Sequence, residues 1–294
     1  MPRLECYHRQ EMKLASCRIQ ERRTFGIVEG ERIVDIGRLW TGGDTDLRAA
    51  LAAGRVSELA ARKNEAESFS IREIEWLPVI TNPDKILCAG VNYETHRQET
   101  GRKQAAYPTI FLRLANTQTG HGASILRPKV SRDLDFEGEL AVILGRAGRY
   151  IAEEEAFAYV AGYACYNDAT LRDWQSHTHQ FTPGKNFPRT GAFGPWLTTA
   201  DEIADVDALR LTTRLNGVVM QDAQLDQLIF SIPRLIAYCS SFTPLEAGDV
   251  ICTGTPGGVG FKRTPPVFLK PGDRIEVDIS CVGTLVNSVV DELP

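Results

Sequence analysis

No apolar run in this sequence approaches the ~20 residues needed to span a bilayer, and its N-terminal stretch "MPRLECYHRQEM" carries no apolar core of the kind a secretory leader has. Both absences argue against a membrane partner, and Met12 stands as a second candidate start. Positive charge is not in excess: 33 Lys and Arg face 38 Asp and Glu, a net charge of -5. Nucleic acid and anionic lipid surfaces are therefore not expected partners, and an anionic substrate must be met by a local cluster of cations. Seven scattered cysteines form no Cys-x-x-Cys pair, which speaks against a cysteine zinc site and predicts a reduced, cytoplasmic chain. The glycine-rich "TGTPGGVG" at 253–260 lacks the Gly-Lys-Ser/Thr of a P-loop. It reads as a tight turn or as a display of backbone amides toward an anion. Regular alternation of strands and helices is also missing, so a doubly wound sheet is not expected.

What is present is a chain of 294 residues punctuated by 25 Gly and 15 Pro into many short elements. "KLASCRI" and "TFGIVEGERIVDIG" read as strands, the second with a hairpin turn at Glu29-Gly30. "DLRAALAAGRVSELAARKNEA" reads as helix with a break at Gly54. Asn-Pro in "TNPDK" (81–85) disfavours helix and marks a boundary. A small N-terminal α+β domain is expected over 1–80 and a larger one over 81–294. The larger part is mostly strand-like, with helices expected at "AEEEAFAYV" and "LIFSIPRLIAYCSSF". The predicted class is α+β and β-rich, a mixed roll or barrel with inserted helices.

The stretch "RDLDFEGELAVILGR" (132–146) carries the first chemical signal. In an extended chain Asp133, Asp135, Glu137 and Glu139 share one face, and that face continues into Ala141 and Ile143, so this is no plain water-facing edge. Residues two apart on a strand are about 6.6 Å apart, so Glu137 and Glu139 can reach one cation. Hard oxygen ligands suit magnesium, manganese or calcium. Asp168, where the apolar "GYACYND" ends, is the candidate third ligand; the bland alternatives are a helix N-cap and a solvated glutamate face.

A second signal is "GVNYETHRQETGR" (90–102). Asn92 can cap a short helix that stops at Gly101, and His96 and Glu99 then stand at i and i+3 on one face. A carboxylate beside an imidazole orients it and raises its basicity, as a water-activating base requires. An exposed surface helix is the alternative. His177 and His179 in "SHTHQ" would point apart on a helix and read as surface residues, and His121 reads as a loop residue. Lys185, in the Pro/Gly-rich "FTPGKNFPRTG", is by itself a surface lysine.

Taken in order, "GVNYETH" with Glu99, "PTIFLR", "DFEGELAVILG", "GYACYNDATLRDWQ", the "GK" of "TPGKNF", "GPW", "LNG" and "GDVICTGTPGGVG" before "LKPGD" resemble the fumarylacetoacetate hydrolase family, from about Lys85 to Val290. The resemblance implies a mixed β-roll assembled as a homodimer or a dimer-based oligomer. It implies a metal site at Glu137, Glu139 and Asp168, filled by magnesium, with manganese or calcium as alternatives. His96 with Glu99 would be the water-activating dyad and Lys185 a catalytic cation. Arg113, Arg172, Gln175 and Thr255 would contact substrate. Two departures bear on the substrate: Lys185-Asn186-Phe187-Pro188-Arg189 replaces the Lys-Ser-Phe-Asp-Thr of many members, and Arg113 stands where lysine is common.

The activity implied is metal-dependent hydrolysis of the carbon-carbon bond of a small 1,3-diketo acid, an acylpyruvate or fumarylacetoacetate-like compound, in catabolism of aromatic or sugar-derived acids. The nearest rival on the same scaffold is a decarboxylase, hydratase or keto-enol tautomerase of 2-oxo acids. A non-catalytic module stapled by its cation is the rival of a different class.

Overall fold

The computed structural model describes residues 12–293. Alternating apolar residues form the strands Lys13–Ile19, Arg22–Glu29 and Arg32–Val34. Glu29 pairs with Arg32 across the expected turn, where Gly30 takes a positive φ of 58°. The expected helix is two helices, Leu47–Ala52 and Val56–Ala61, parted at Gly54 with φ 63°. Asp46 caps the first by accepting from the Ala49 amide.

Twelve strands share one open sheet. Its main path runs Ser68–Ser70, Arg32–Val34, Arg22–Glu29, Lys13–Ile19, Gly191–Thr199, Val160–Asp168, Gly138–Leu144, Val250–Cys252, Ile86–Gly90 and Thr109–Arg113. Main-chain pairing thus crosses from the segment before residue 81 to the segment after it, with Leu14 opposite Leu197. A five-stranded sheet follows the order Val218–Gln224, Arg210–Leu215, Arg274–Ile279, Gly283–Asp291 and Ile125–Arg127. Neither sheet closes into a barrel, so the roll half of the sequence expectation is the one realised.

The strand Gly138–Leu144 is buried at every position because it lies between two cores. Leu140, Val142 and Leu144 enter the cluster that includes Leu211, Val277 and Leu285 of the smaller sheet. Ala141 and Ile143 enter the cluster that includes Leu14, Phe25 and Ile86. Antiparallel neighbours on both sides, Val160–Asp168 and Val250–Cys252, satisfy its backbone.

Several local expectations shift by a few residues. The helix read from "LIFSIPRLIAYCSSF" is Ile232–Phe242, started by Ser231, whose hydroxyl accepts from the Arg234 amide. "AEEEAFAYV" forms the 3-10 helix Glu153–Tyr159. Cys17, Cys88, Cys165, Cys239 and Cys252 are buried free thiols. No helix among the described residues is long and apolar enough to cross a membrane.

Leu140 is fully buried on the strand that supports the acidic residues. Leu140→Ala is expected to destabilise the fold by about 2–5 kcal/mol, read as a lower urea midpoint with an unchanged m-value.

Candidate active site

The register of two neighbouring strands creates the site. Gly138 lies opposite Asn167 and Glu139 opposite Tyr166, and the Asp168 amide donates to the Glu137 carbonyl at 2.9 Å. Oxygens of Glu137, Glu139 and Asp168 thereby come within 4.8 Å of one another, all three residues buried. Regular strand begins only at Gly138; the Glu137 amide is held by the Asn167 side chain at 3.0 Å. The acids therefore do not stay on one face. Asp135 turns away and accepts from the Gly260 and Phe261 amides at 2.8 and 3.0 Å, while Asp133 is only half-buried.

Three cations answer the acids. Lys185, only 1 % exposed, donates to Glu137 Oε2 at 2.7 Å and Asp168 Oδ2 at 2.6 Å. Its burial follows from the close fit of its helix, Thr182–Lys185, onto Arg172–Gln175, where a Cβ on Gly184 would lie 2.5 Å from the Gln175 amide nitrogen. Sequence alone made this residue a surface lysine, since contact between two loops carries no periodic signal. Arg172 joins Asp135 (2.8 Å), Glu137 (2.7 Å) and Gln175 (2.9 Å), and its Nη2 is buried without a partner. Arg113 lies behind the site, joining Asp168 Oδ1 at 2.5 Å, the Ala169 carbonyl and Thr190. It does not line the cavity. Asp168 likewise ends a strand and faces these cations; the next helix starts at Arg172.

Burial pushes the Glu137 carboxyl up, but Lys185 and Arg172 outweigh it and hold it at about 2. Glu139 goes the other way. Burial, then the charges of Asp168 and Glu137, push it well above the ordinary carboxylate range, and among the described residues its one hydrogen bond is from the Gly254 amide at 2.9 Å. Lys185 is held as a cation, since Asp168 and Glu137 outweigh a burial that would lower it. A hard-oxygen set with one buried carboxylate short of positive charge fits a divalent cation.

Opposite the acids stands the helix Glu94–Thr100, ended by Gly101 with φ 68°. It presents His96, 5 % exposed, with Nδ1 3.2 Å from Glu99 Oε2. Glu99 in turn accepts from the Gly258 amide at 3.0 Å. Asn92 is not the cap expected of it: its side chain bonds the Phe230 backbone and the Thr253 carbonyl, tying the start of the helix segment to two distant loops. The amides of the glycine-rich loop do meet anions, and those anions are the protein's own Glu139, Glu99 and Asp135.

Sequence reading missed Gln221. Buried on the hairpin strand Val218–Gln224, it accepts from the Gly138 amide at 3.0 Å and donates to Thr255 Oγ1 and the Pro256 carbonyl. Thr255 closes the square by donating to the Gly138 carbonyl at 2.9 Å. Nothing in "NGVVMQDAQ" distinguishes this glutamine from its solvent-facing neighbours.

A cavity of about 440 Å³ is lined by His96, Glu137, Glu139, Arg172, Lys185 and Thr255, with Gln175 at its side. Arg189 is exposed and outside this lining, as are His177 and His179. Nine of the ten residues proposed for the site surround the cavity or touch those that do, and Arg113 supports it from behind.

An acid triad, a buried lysine and a histidine–glutamate pair thus converge at one cavity of a mixed β-roll. The profile described as fumarylacetoacetate (FAA) hydrolase C-terminal matches residues 85–290, and the chain belongs to that family. It is 39% identical over 219 residues to the mitochondrial oxaloacetate tautomerase Fahd2a of Rattus norvegicus, covering 74% of this chain and 70% of the relative. The oxaloacetate tautomerase YisK of Bacillus subtilis (strain 168) is 39% identical over 244 residues, 81% of each chain. Among solved structures, maleylpyruvate hydrolase from Sphingobium sp. SYK-6 in complex with manganese(II) ion and pyruvate superposes with a TM-score of 0.80 at 29% identity, covering 96% of this chain and 100% of that one. A fumarylacetoacetate hydrolase from Exiguobacterium antarcticum reaches 0.85 at 31% identity with the same coverage.

In metal-free protein, ionising Glu139 opposes folding, because its folded pKa is raised above the unfolded one. Its contribution to stability is therefore lost as pH rises from the ordinary carboxylate range through the raised value. Glu139→Gln is expected to flatten this pH dependence of Tm in chelator-treated protein. It should also abolish the gain that magnesium or manganese gives the wild type, about 2.7 kcal/mol at a hundredfold excess over Kd, as read by thermal denaturation.

Proposed function

We propose that this protein is a metal-dependent keto-enol tautomerase of a short 2-oxo acid. The observation that carries the reading is the single oriented imidazole, His96, set in a small cavity lined also by Lys185, Arg172, Glu137 and Glu139, with Asp168 held behind by Lys185. A 1,3-proton transfer needs one group to take a proton and return it nearby, with positive charge where the oxygen becomes anionic. The oxaloacetate tautomerase activity for which two relatives at 39% identity are named supports the same choice.

Glu137, Glu139 and Asp168 would hold the divalent cation, which supplies Lewis acidity to the oxygens of a 2-oxo acid. Arg172, with a donor left over, receives the carboxylate end. His96, held by Glu99, takes the proton from C3 of the keto form. The C–H electron pair becomes the C2=C3 double bond and the C2 carbonyl pair moves to oxygen. Lys185, fixed as an ammonium, faces that developing charge, and the His96 imidazolium returns the proton to the oxygen. Reversal of these steps converts enol to keto acid.

Hydrolysis of an acylpyruvate is the second reading, favoured by the likeness to maleylpyruvate hydrolase. There His96 would take its proton from water, which attacks the remote carbonyl.

With magnesium-loaded protein, proton NMR of oxaloacetate in deuterated buffer is expected to reveal accelerated exchange at C3, and absorbance to reveal faster loss of the enol. His96→Ala should lower both rates by about 10²–10⁴-fold. Acetylpyruvate is expected to remain intact under the same conditions. Pyruvate and acetate appearing from it, with no acceleration on oxaloacetate, would overturn the tautomerase in favour of the hydrolase.

A further inference from the structure

Phe111 and Phe181 form an apolar wall with a cation at each end. Lys185 Nζ lies 4.9 Å from the Phe111 ring, Phe111 meets Phe181 edge-on at 5.7 Å, and the Arg102 guanidinium lies 5.2 Å from the Phe181 ring. The Lys185 end belongs to the triad. The Arg102 end lines both the catalytic cavity and a second, outer chamber of about 650 Å³, with Gly90, Val91 and Phe181 also common to the two.

The charge of this chamber is one-sided. Arg97, Arg102 and Lys103 line it, and no carboxylate does. Arg97 is already neutralised by two bonds to Glu94, at 2.8 and 2.5 Å, and its Nη1 donates to the Arg102 carbonyl at 2.9 Å. It therefore fixes the turn that follows the helix. Gly101 gives that turn its left-handed backbone, and Arg102 and Lys103 leave it exposed. Neither has a carboxylate partner among the described residues. In a chain of net charge -5, two unpaired cations at the mouth of an acid-lined cavity are a local reversal of sign.

An occupant that uses both ends carries a 2-oxo acid at the triad and a second anionic group at the mouth. We propose that Arg102, with Lys103 beside it, binds the second carboxylate of a 2-oxo dicarboxylic acid and so selects diacids over monoacids. The proposal rests on reading the inner site as one for 2-oxo acids. Arg102 suits the task because its planar fork pairs a carboxylate in two bonds while its other face keeps the Phe181 ring.

The test uses two unreactive probes that differ by one carboxylate, N-oxalylglycine and N-methyloxamate, titrated calorimetrically into the magnesium-loaded full chain. The wild type is expected to bind the diacid at least about tenfold more tightly. Arg102→Ala should remove that preference by weakening the diacid alone, and Arg102→Lys should keep part of it. In turnover, Arg102→Ala should raise KM for oxaloacetate with little change in kcat. Equal affinity of the wild type for both probes, failure to bind either, or equal weakening of both in Arg102→Ala overturns the subsite. The two readings fail separately. Probe discrimination without oxaloacetate turnover upholds the subsite and removes the tautomerase, and turnover without discrimination does the reverse.

Discussion

Everything in this structure bends around a cluster of charges held out of water. Burying an ion costs several kcal/mol even after relaxation, so four buried carboxylates are tolerable only if each is met at close range. Asp168 has Arg113 and Lys185, Glu137 has Lys185 and Arg172, and Asp135 has Arg172 and two backbone amides. Glu139 alone is left with a single amide donor. The deficit sits where three carboxylates converge, so the same arithmetic that threatens the fold marks the place where a cation would be held.

Holding that cluster explains the architecture around it. A one-residue slip of a strand embedded between two apolar cores would send Leu140, Val142 and Leu144 into the core packed around the smaller Ala141 and Ile143, so Glu139 is fixed relative to Asp168. Gln221 and Thr255 brace the backbone at Gly138 from another sheet and another loop. A Cβ on Gly260 would meet the Val267 carbonyl at 1.9 Å and Asp135 at 2.5 Å, so only glycine lets this loop approach closely enough to give its amide to the acid.

The glycine-rich loop also joins the two halves of the chemistry. One turn of it serves Glu139 on the acid side, the next serves Glu99 on the imidazole side. The helix carrying His96 is otherwise short, seven residues, and contributes little stability of its own. Its position is set by Gly257 and Gly258 amides and by Asn92, each reaching a segment far away in sequence.

The sequence by itself determined the local parts: the hairpin at Gly30, the helix break at Gly54, the i, i+3 placement of His96 and Glu99, and the acidic strand whose apolar continuation on both faces required burial. Those features follow from backbone periodicity and from glycine's access to positive φ, which act over a few residues. Tertiary structure alone decided the rest. Lys185 became a buried cation, Asn92 a tie between loops instead of a cap, Gln221 a brace and Arg113 a support behind Asp168, because each side chain is defined by partners 17 to 161 residues away. Charge neutralisation at such range is a property of the assembled interior, where low polarity makes every pairing count, and no short window of sequence contains it.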